Sequence, residues 1–213
     1  ISVFLSGCNW RCAYCQYPDN LDARAGRKLV PGRLAGRIES LRREGGTNVH
    51  WVGGNPDPHL WAVLMTLRAC RAPISVVWNT NGYASPAALR LLDGVIDTYL
   101  VDFRHGTAAC AERYGAPGDS VHVIRRNLRA LAGQDAELIV RHLQLPAHFD
   151  CCTAPILDWL SSVLPDVPVN LMHGQYRPAY RAYRHPEIDR RLTRAERART
   201  VRVARGLGLT LVL

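Results

Sequence analysis

Cys8, Cys12 and Cys15 are the residues of this chain best suited to do chemistry. They sit in Gly7-Cys8-Asn9-Trp10-Arg11-Cys12-Ala13-Tyr14-Cys15, at the spacing Cys-x3-Cys-x2-Cys, directly after the apolar run Ile1-Ser2-Val3-Phe4-Leu5. Three thiolates this close in sequence converge on one point only if the backbone wraps around something. An iron–sulfur cluster is such an object, and thiolate is its usual ligand. Four cysteines would close a cubane [4Fe–4S] cluster. Three leave one iron open, and an open metal position is where chemistry occurs, as it does in catalytic zinc sites. A zinc loop or a fortuitous grouping of thiols is the alternative, because a short metal motif needs its structural context.

Positioning such a loop takes a scaffold, and the chain has the pattern of one. Short apolar runs rich in β-branched residues alternate with longer stretches of helical spacing, which predicts repeated β-α units and a parallel sheet. Strands are predicted over residues 1–5, 48–52, 74–78, 96–101, 137–143 and 167–172, with a last apolar run over 209–213. Helices are predicted over 31–44, 58–70, 86–92, 107–114, 120–131, 154–163 and 194–205. The count is six β-α units, with a seventh strand at the end.

The unusual polar and glycine residues gather where the predicted strands end. These are the cysteine loop, Gly53-Gly54-Asn55, Asn79 to Asn81, Asp102 to Arg104, Arg141-His142, and Asn170 to Gln175. In a (β/α) barrel that edge is where active sites are built. Asp102 and Arg104 are two apart and share one side of a strand, as do Asn170 and Met172. Arg141 shares its parity with Ile139 and Leu143, which turns it inward and His142 outward. Asn79 and Asn81 serve either a ligand or the turn before Gly82. Cys151-Cys152 precedes a predicted helix, where a thiol is either activated or simply buried.

The composition sets the outer bounds. The chain has 213 residues, 47% of them apolar, enough for one domain over 1–213. It starts abruptly at the first predicted strand, so a longer native N terminus is expected. No run of 18 or more apolar residues and no signal-peptide pattern occurs, so no membrane association is expected. There are seven cysteines, and Cys70, Cys110 and the Cys151-Cys152 pair read as scattered. Metal binding and free thiols in a reducing, cytoplasmic setting are expected, rather than a disulfide framework. The net charge of +9 comes almost wholly from arginine, with the single lysine Lys28. Such charge permits nucleic-acid partners. The late arginines, however, fall in a helical stretch with Glu196 and apolar positions, so a solvated face accounts for them and nucleic acid is not the expected partner.

With the aromatic Tyr14 before its third cysteine, the opening motif resembles the signature of the radical S-adenosylmethionine (radical SAM) family, Cys-x3-Cys-x2-aromatic-Cys. The resemblance extends over nearly the whole chain and is closest to the PflX-like group, homologues of the pyruvate formate-lyase activating enzymes. Phe4-Leu5-Ser6-Gly7-Cys8-Asn9, Trp51-Val52-Gly53-Gly54, Asn79-Thr80-Asn81-Gly82-Tyr83, Asp97 to Phe103, Arg141-His142-Leu143-Gln144-Leu145-Pro146, and Asn170-Leu171-Met172 with Gln175-Tyr176-Arg177-Pro178 carry it.

The resemblance implies a partial (β/α)6 TIM-like barrel of the radical SAM type. It implies a [4Fe–4S] cluster on Cys8, Cys12 and Cys15, with SAM chelated at the open iron through its amino and carboxylate groups. Reductive cleavage of SAM would then yield a 5′-deoxyadenosyl radical that abstracts hydrogen from a substrate C–H bond, with flavodoxin or ferredoxin as reductant. Gly53-Gly54-Asn55-Pro56 is similar to the family's Gly-Gly-Glu-Pro segment, which binds the SAM amino group. Asn55 stands where glutamate is usual, and it carries no charge. Arg104 matches the lysine of an Asp-x-Lys step in the activating enzymes and would grip the SAM carboxylate. Tyr14 would lie beside adenine, Asn79 and Asn81 near the ribose or a substrate, and Asn170 and Met172 near adenine, with Arg141 completing the cofactor site. His173, Gln175, Tyr176 and Arg177 would contact substrate.

The substrate is left open. The expected class is an oxidoreductase or lyase-type enzyme acting on a small molecule or peptide. The alternatives are an activating enzyme that installs a glycyl radical on a partner protein and a non-catalytic metal- or nucleic-acid-binding module.

Overall fold

β-branched and aromatic residues recur at alternate positions, and the backbone they favour forms one parallel sheet. In the computed structural model, which describes residues 1–212, its strands are β1 (Ser2–Leu5), β2 (Asn48–Gly53), β3 (Ser75–Thr80), β4 (Thr98–Asp102), β5 (Glu137–His142), β6 (Val169–Leu171) and β7 (Leu211–Val212), in that spatial order. All neighbouring pairs are parallel. Among the described residues β7 does not pair with β1, so the barrel stays open. The helices are α1 (Pro31–Arg43), α2 (Leu60–Ala69), α3 (Pro86–Leu92), α4 (Ala108–Arg113), α5 (Ser120–Leu131), α6 (Ala154–Val163) and α7 (Arg194–Gly206). The result has the parallel β-α order that the alternating pattern predicts, in the partial TIM-like barrel that the resemblance implies.

Successive strand residues point to opposite faces. Val49, Trp51, Val76, Trp78, Tyr99, Val101, Leu138, Val140 and Val169 are buried on one face and form the main core. The other parity, including His50, Val52, Asn79 and Arg141, turns into the barrel. The register sets the strand ends level, with Leu5 beside Gly53 and Asp102 beside Arg141.

The structure departs from the predicted elements at several ends; β3 runs on to Thr80 and β7 starts only at Leu211. The fourth strand begins at Thr98 rather than at residue 96, because the Asp97 carboxylate turns back to accept the Val76 N–H at 2.6 Å. The sixth strand is only Val169–Leu171, since Pro168 has no N–H to give the ladder. A π-helical turn over Phe149–Thr153 runs into α6 and carries Cys151 and Cys152, and such turns are frequent at functional sites. Leu213, the last residue of the predicted final run, lies outside the described residues. Among the described residues no helix is long and apolar enough to cross a membrane.

Candidate functional site

The cysteine loop is fastened to the C-terminal edge of the sheet by its own backbone. Gly7 N donates to Asn20 O at 2.8 Å, and Gly7 O accepts from Asn55 N at 3.0 Å. On the other side Arg11 N and Ala13 N donate to Gly115 O and Tyr114 O, each at 2.9 Å. The glycine step makes this closeness possible. Gly53 has φ +121°, and a Cβ on Gly54 would stand 2.4 Å from Gly7 O and 2.5 Å from Asn20 O. No side chain fits there.

Cys8, Cys12 and Cys15 all open into one cavity of about 560 Å³. Gly53, Gly54 and Asn55 form part of its wall, with Asn79 and Asn81 beside them. Asp102, Arg104, Arg141 and Met172 also line it, as do Gln175 and Arg177. A larger groove of about 800 Å³ runs along β1 beside Leu29, Val30 and Leu34, but none of the cysteines reaches it.

Burial pushes the Cys12 thiol up to about 11, and the nearby Arg104 guanidinium works against that rise. Cys8 is raised as well, again by burial. A bound metal would reverse this, since a coordinated thiol is deprotonated outright.

One charged cluster in the cavity is a carboxylate held by two guanidiniums. Arg141 Nη2 lies 2.7 Å from Asp102 Oδ1, and Arg104 holds the other oxygen. Burial alone would raise the Asp102 carboxyl, but the two arginines overcome it and hold it below the usual carboxylate range. The cluster keeps one net positive charge beside Cys12. The Nε of Arg104 is buried with no partner among the described residues.

Asn55 sits in a polar network that the sequence motif does not reveal. Its amide nitrogen lies 2.9 Å from Asn9 Oδ1, 3.0 Å from Asp57 Oδ2 and 3.3 Å from Asn81 Oδ1. Its amide oxygen accepts the Asn81 N–H at 3.2 Å. Asp57 also accepts from Trp78 Nε1 at 2.9 Å and from the Thr80 hydroxyl. Burial raises its carboxyl despite these donors.

The remaining predicted residues divide by position. Asn79 Nδ2 lies 3.0 Å from His50 Nε2 inside the barrel. The Tyr14 side chain is almost wholly buried, edge-on to the rings of His105, Tyr114 and Tyr176, with its hydroxyl 3.0 Å from His105 Nε2. Tyr14 still lines the cavity, but much of its ring is packed into the wall. Gln175 and Arg177 reach the cavity, and Gln16 donates to Arg177 O at 2.7 Å. Asn170 does not line it. His173 turns away into a groove beside α7, and the buried Tyr176 hydroxyl donates to Ile188 O at 2.7 Å. Asn9, His50 and Asp57 belong to the site without having been singled out from the sequence. Asn9 lies within the cysteine motif and Asp57 two residues after Asn55, so adjacency was the available signal.

A model of the radical SAM superfamily matches residues 2–160 of the chain. The chain belongs to the radical SAM superfamily. Its cofactors are accordingly a [4Fe–4S] cluster and SAM, and the donor set fits them. Three thiols share one cavity with a glycine cradle, and a buried guanidinium there has an unpaired N–H.

The chain is 38% identical over 217 residues to the uncharacterized protein MJ0674 of Methanocaldococcus jannaschii, covering 99% of this chain and 63% of that protein. It is 29% identical over 104 residues to a 7-carboxy-7-deazaguanine synthase of Methanothermobacter thermautotrophicus, covering 49% of this chain and 41% of that one. In fold it is similar to Streptococcus suis SuiB bound to S-adenosylmethionine, with a TM-score of 0.70 and 14% identity over 99% of this chain and 49% of SuiB. It is also similar to the methyltransferase TsrM of Kitasatospora setae, with a TM-score of 0.56 and 16% identity over 80% of this chain and 36% of that one. The chain thus spans less than two thirds of the length of these relatives.

Proposed function

We propose that this chain is the catalytic domain of an enzyme that takes hydrogen from a C–H bond of a compact substrate. Cys8, Cys12 and Cys15 would hold a [4Fe–4S] cluster, which with SAM and an electron from a donor of the flavodoxin or ferredoxin kind would supply the radical chemistry for that hydrogen abstraction. The observation that carries this reading is the meeting of all three thiols with Gly53, Gly54, Arg104 and Arg141 in a single cavity at the C-terminal strand edge.

Each residue has a physical task in this reading. Gly53 and Gly54 let backbone approach the methionine part of SAM. Arg104 receives the SAM carboxylate with its unpaired Nε, as a guanidinium is suited to do. Asp102 holds Arg104 and Arg141 in place between two strands. Asn55 has its oxygen occupied by Asn81 N, so it orders the wall and contributes no charge to the SAM amino group. Asn79 and Asn81 face the ribose, and Met172 packs near the adenine. Gln175 and Arg177 line the side from which substrate approaches. The partial likeness to a 7-carboxy-7-deazaguanine synthase supports a small-molecule substrate. The Asp-x-Arg step at the end of β4 is the feature that favours a second reading, a PflX-like activating enzyme acting on a protein glycine.

Anaerobic reconstitution with iron and sulfide, reduction and addition of SAM should yield 5′-deoxyadenosine. If the reduced chain makes none, and the C8A/C12A/C15A chain keeps the same iron content, the reading is wrong. Deuterium transfer from labelled candidates into 5′-deoxyadenosine then identifies the substrate.

A further inference from the structure

Cys110 lies on α4, His148 between β5 and α6, and Cys151 in the π-helical turn. Read along the chain these residues are unrelated. In the fold, one ligand atom from each lies within 4.8 Å of the others. Zinc bound tetrahedrally by thiolate and imidazole at about 2.0–2.3 Å would draw its ligand atoms to roughly 3.3–3.8 Å apart, a small contraction from that limit. A further thiol, Cys152 Sγ, stands 3.9 Å from Cys151 Sγ.

His148 shares one contact with metal-bound histidines. Its Nδ1 lies 2.6 Å from Pro146 O. A carbonyl only accepts, so Nδ1 carries the hydrogen and Nε2 the lone pair. The Tyr114 hydroxyl is 2.8 Å from that Nε2, yet its single hydrogen also faces Glu187 Oε1 at 2.6 Å. Arg113 holds Glu187 through the same oxygen at 2.7 Å. With the Tyr114 hydrogen on this carboxylate, a cation that displaced the hydroxyl from its place beside Nε2 would meet the ring's lone pair. An imidazole N–H fixed on a backbone carbonyl is the outer-shell contact typical of zinc ligands.

The surrounding backbone is tight. A Cβ on Gly106 would stand 2.6 Å from Cys151 O and 2.8 Å from the Cys152 Cα. The β4–α4 loop therefore presses on the π-helical turn and fixes Cys151 against the helix that carries Cys110.

We propose that Cys110, His148 and Cys151 form a zinc site, separate from the Cys8–Cys15 loop. It stands behind that loop. Tyr114, which touches His148, stacks on His105 and gives its carbonyl to Ala13 N. Zinc there ties α4 to the start of α6 and stiffens the backing of the cluster loop. The proposal does not depend on the function argued for the cavity.

The test is metal content with the whole chain. In the cluster-loaded protein, held reduced and supplied with zinc, mass spectrometry should find one zinc per chain. The C110A/C151A chain should contain none while its iron is unchanged, and H148Q should weaken zinc binding by about tenfold or more. As a second arm, the C8A/C12A/C15A chain, with no cluster ligands, should bind one cobalt(II) with the intense visible bands of a tetrahedral thiolate site. This arm still decides if C110A/C151A fails to fold. No zinc in the loaded wild-type chain, zinc retained in C110A/C151A, or an octahedral cobalt spectrum would each overturn the proposal.

Discussion

Asp102 and Arg141 are partners in the β4–β5 register, and Arg141 Nη2 lies 2.7 Å from Asp102 Oδ1. Arg104, two residues after Asp102, holds the carboxylate's other oxygen. Neighbouring strands thus bring two cations to one buried anion on the cavity floor.

Removing that anion should be expensive. D102N leaves two largely buried guanidiniums facing each other, and breaking a buried pair typically destabilises by roughly 3 kcal/mol or more. The pH dependence follows from the direction of the shift. The folded carboxyl is held below its unfolded value of about 3.9. Its contribution is therefore fully present above that pH and is lost as pH falls through the folded value. Denaturant unfolding at pH 7 should show the loss in D102N, and melting from pH 7 to pH 3 should show a shallower acid decline than in the wild type. A D102N chain as stable as the wild type would remove Asp102 as the organiser of the arginines.

Asn55 stands where the superfamily motif has an acid, and its surroundings explain why. Asp57 Oδ2 is 3.0 Å from the Asn55 amide nitrogen. Asp57 is half-buried, its carboxyl is already raised by burial, and it can only accept when ionised. N55E would set a second carboxylate about 3 Å from it, and two carboxylates that close in a partly buried site do not both stay charged. The expected loss is about 2 kcal/mol, within the range for burying an unpaired charge. N55E/D57N should recover at least half of it. If N55E alone is neutral in calorimetry, the network does not dictate the residue.

What could be read along the chain and what could not differ in kind. The strands were legible because Val49 and Trp51, or Val76 and Trp78, alternate with polar or cavity-facing residues, and that period belongs to the backbone itself. The shared side of Asp102 and Arg104 and the inward turn of Arg141 follow from the same parity. Asp57, His50 and Asn9 gain their roles only from contacts across strands, which spacing does not encode. The Cys110–His148–Cys151 grouping was hidden for the same reason, and the π-helical turn that presents Cys151 has no sequence signal comparable to a capping box. The capping box of α7 does have one, Thr193 and Glu196, and both of its hydrogen bonds are present.

Two glycines of similar sequence character should behave in opposite ways. A Cβ on Gly54 would stand 2.4 Å from Gly7 O and 2.5 Å from Asn20 O, both backbone atoms that anchor the cysteine loop. Backbone cannot rotate aside as a side chain can, so G54A must push the loop off the end of β2. Overpacking of this kind destabilises by about 1–3 kcal/mol. It should also lower iron incorporation, because Cys8 is the residue next to Gly7. Gly36, by contrast, lies inside α1 with nothing within 4 Å of its Cβ position. G36A removes backbone freedom from the unfolded chain and should stabilise by roughly 0.5–1 kcal/mol, with iron content unchanged. Melting temperature and iron per chain, measured on both variants after the same reconstitution, separate the loop effect from a general one. If G54A retains full iron, the cysteine loop is not held by the glycine step.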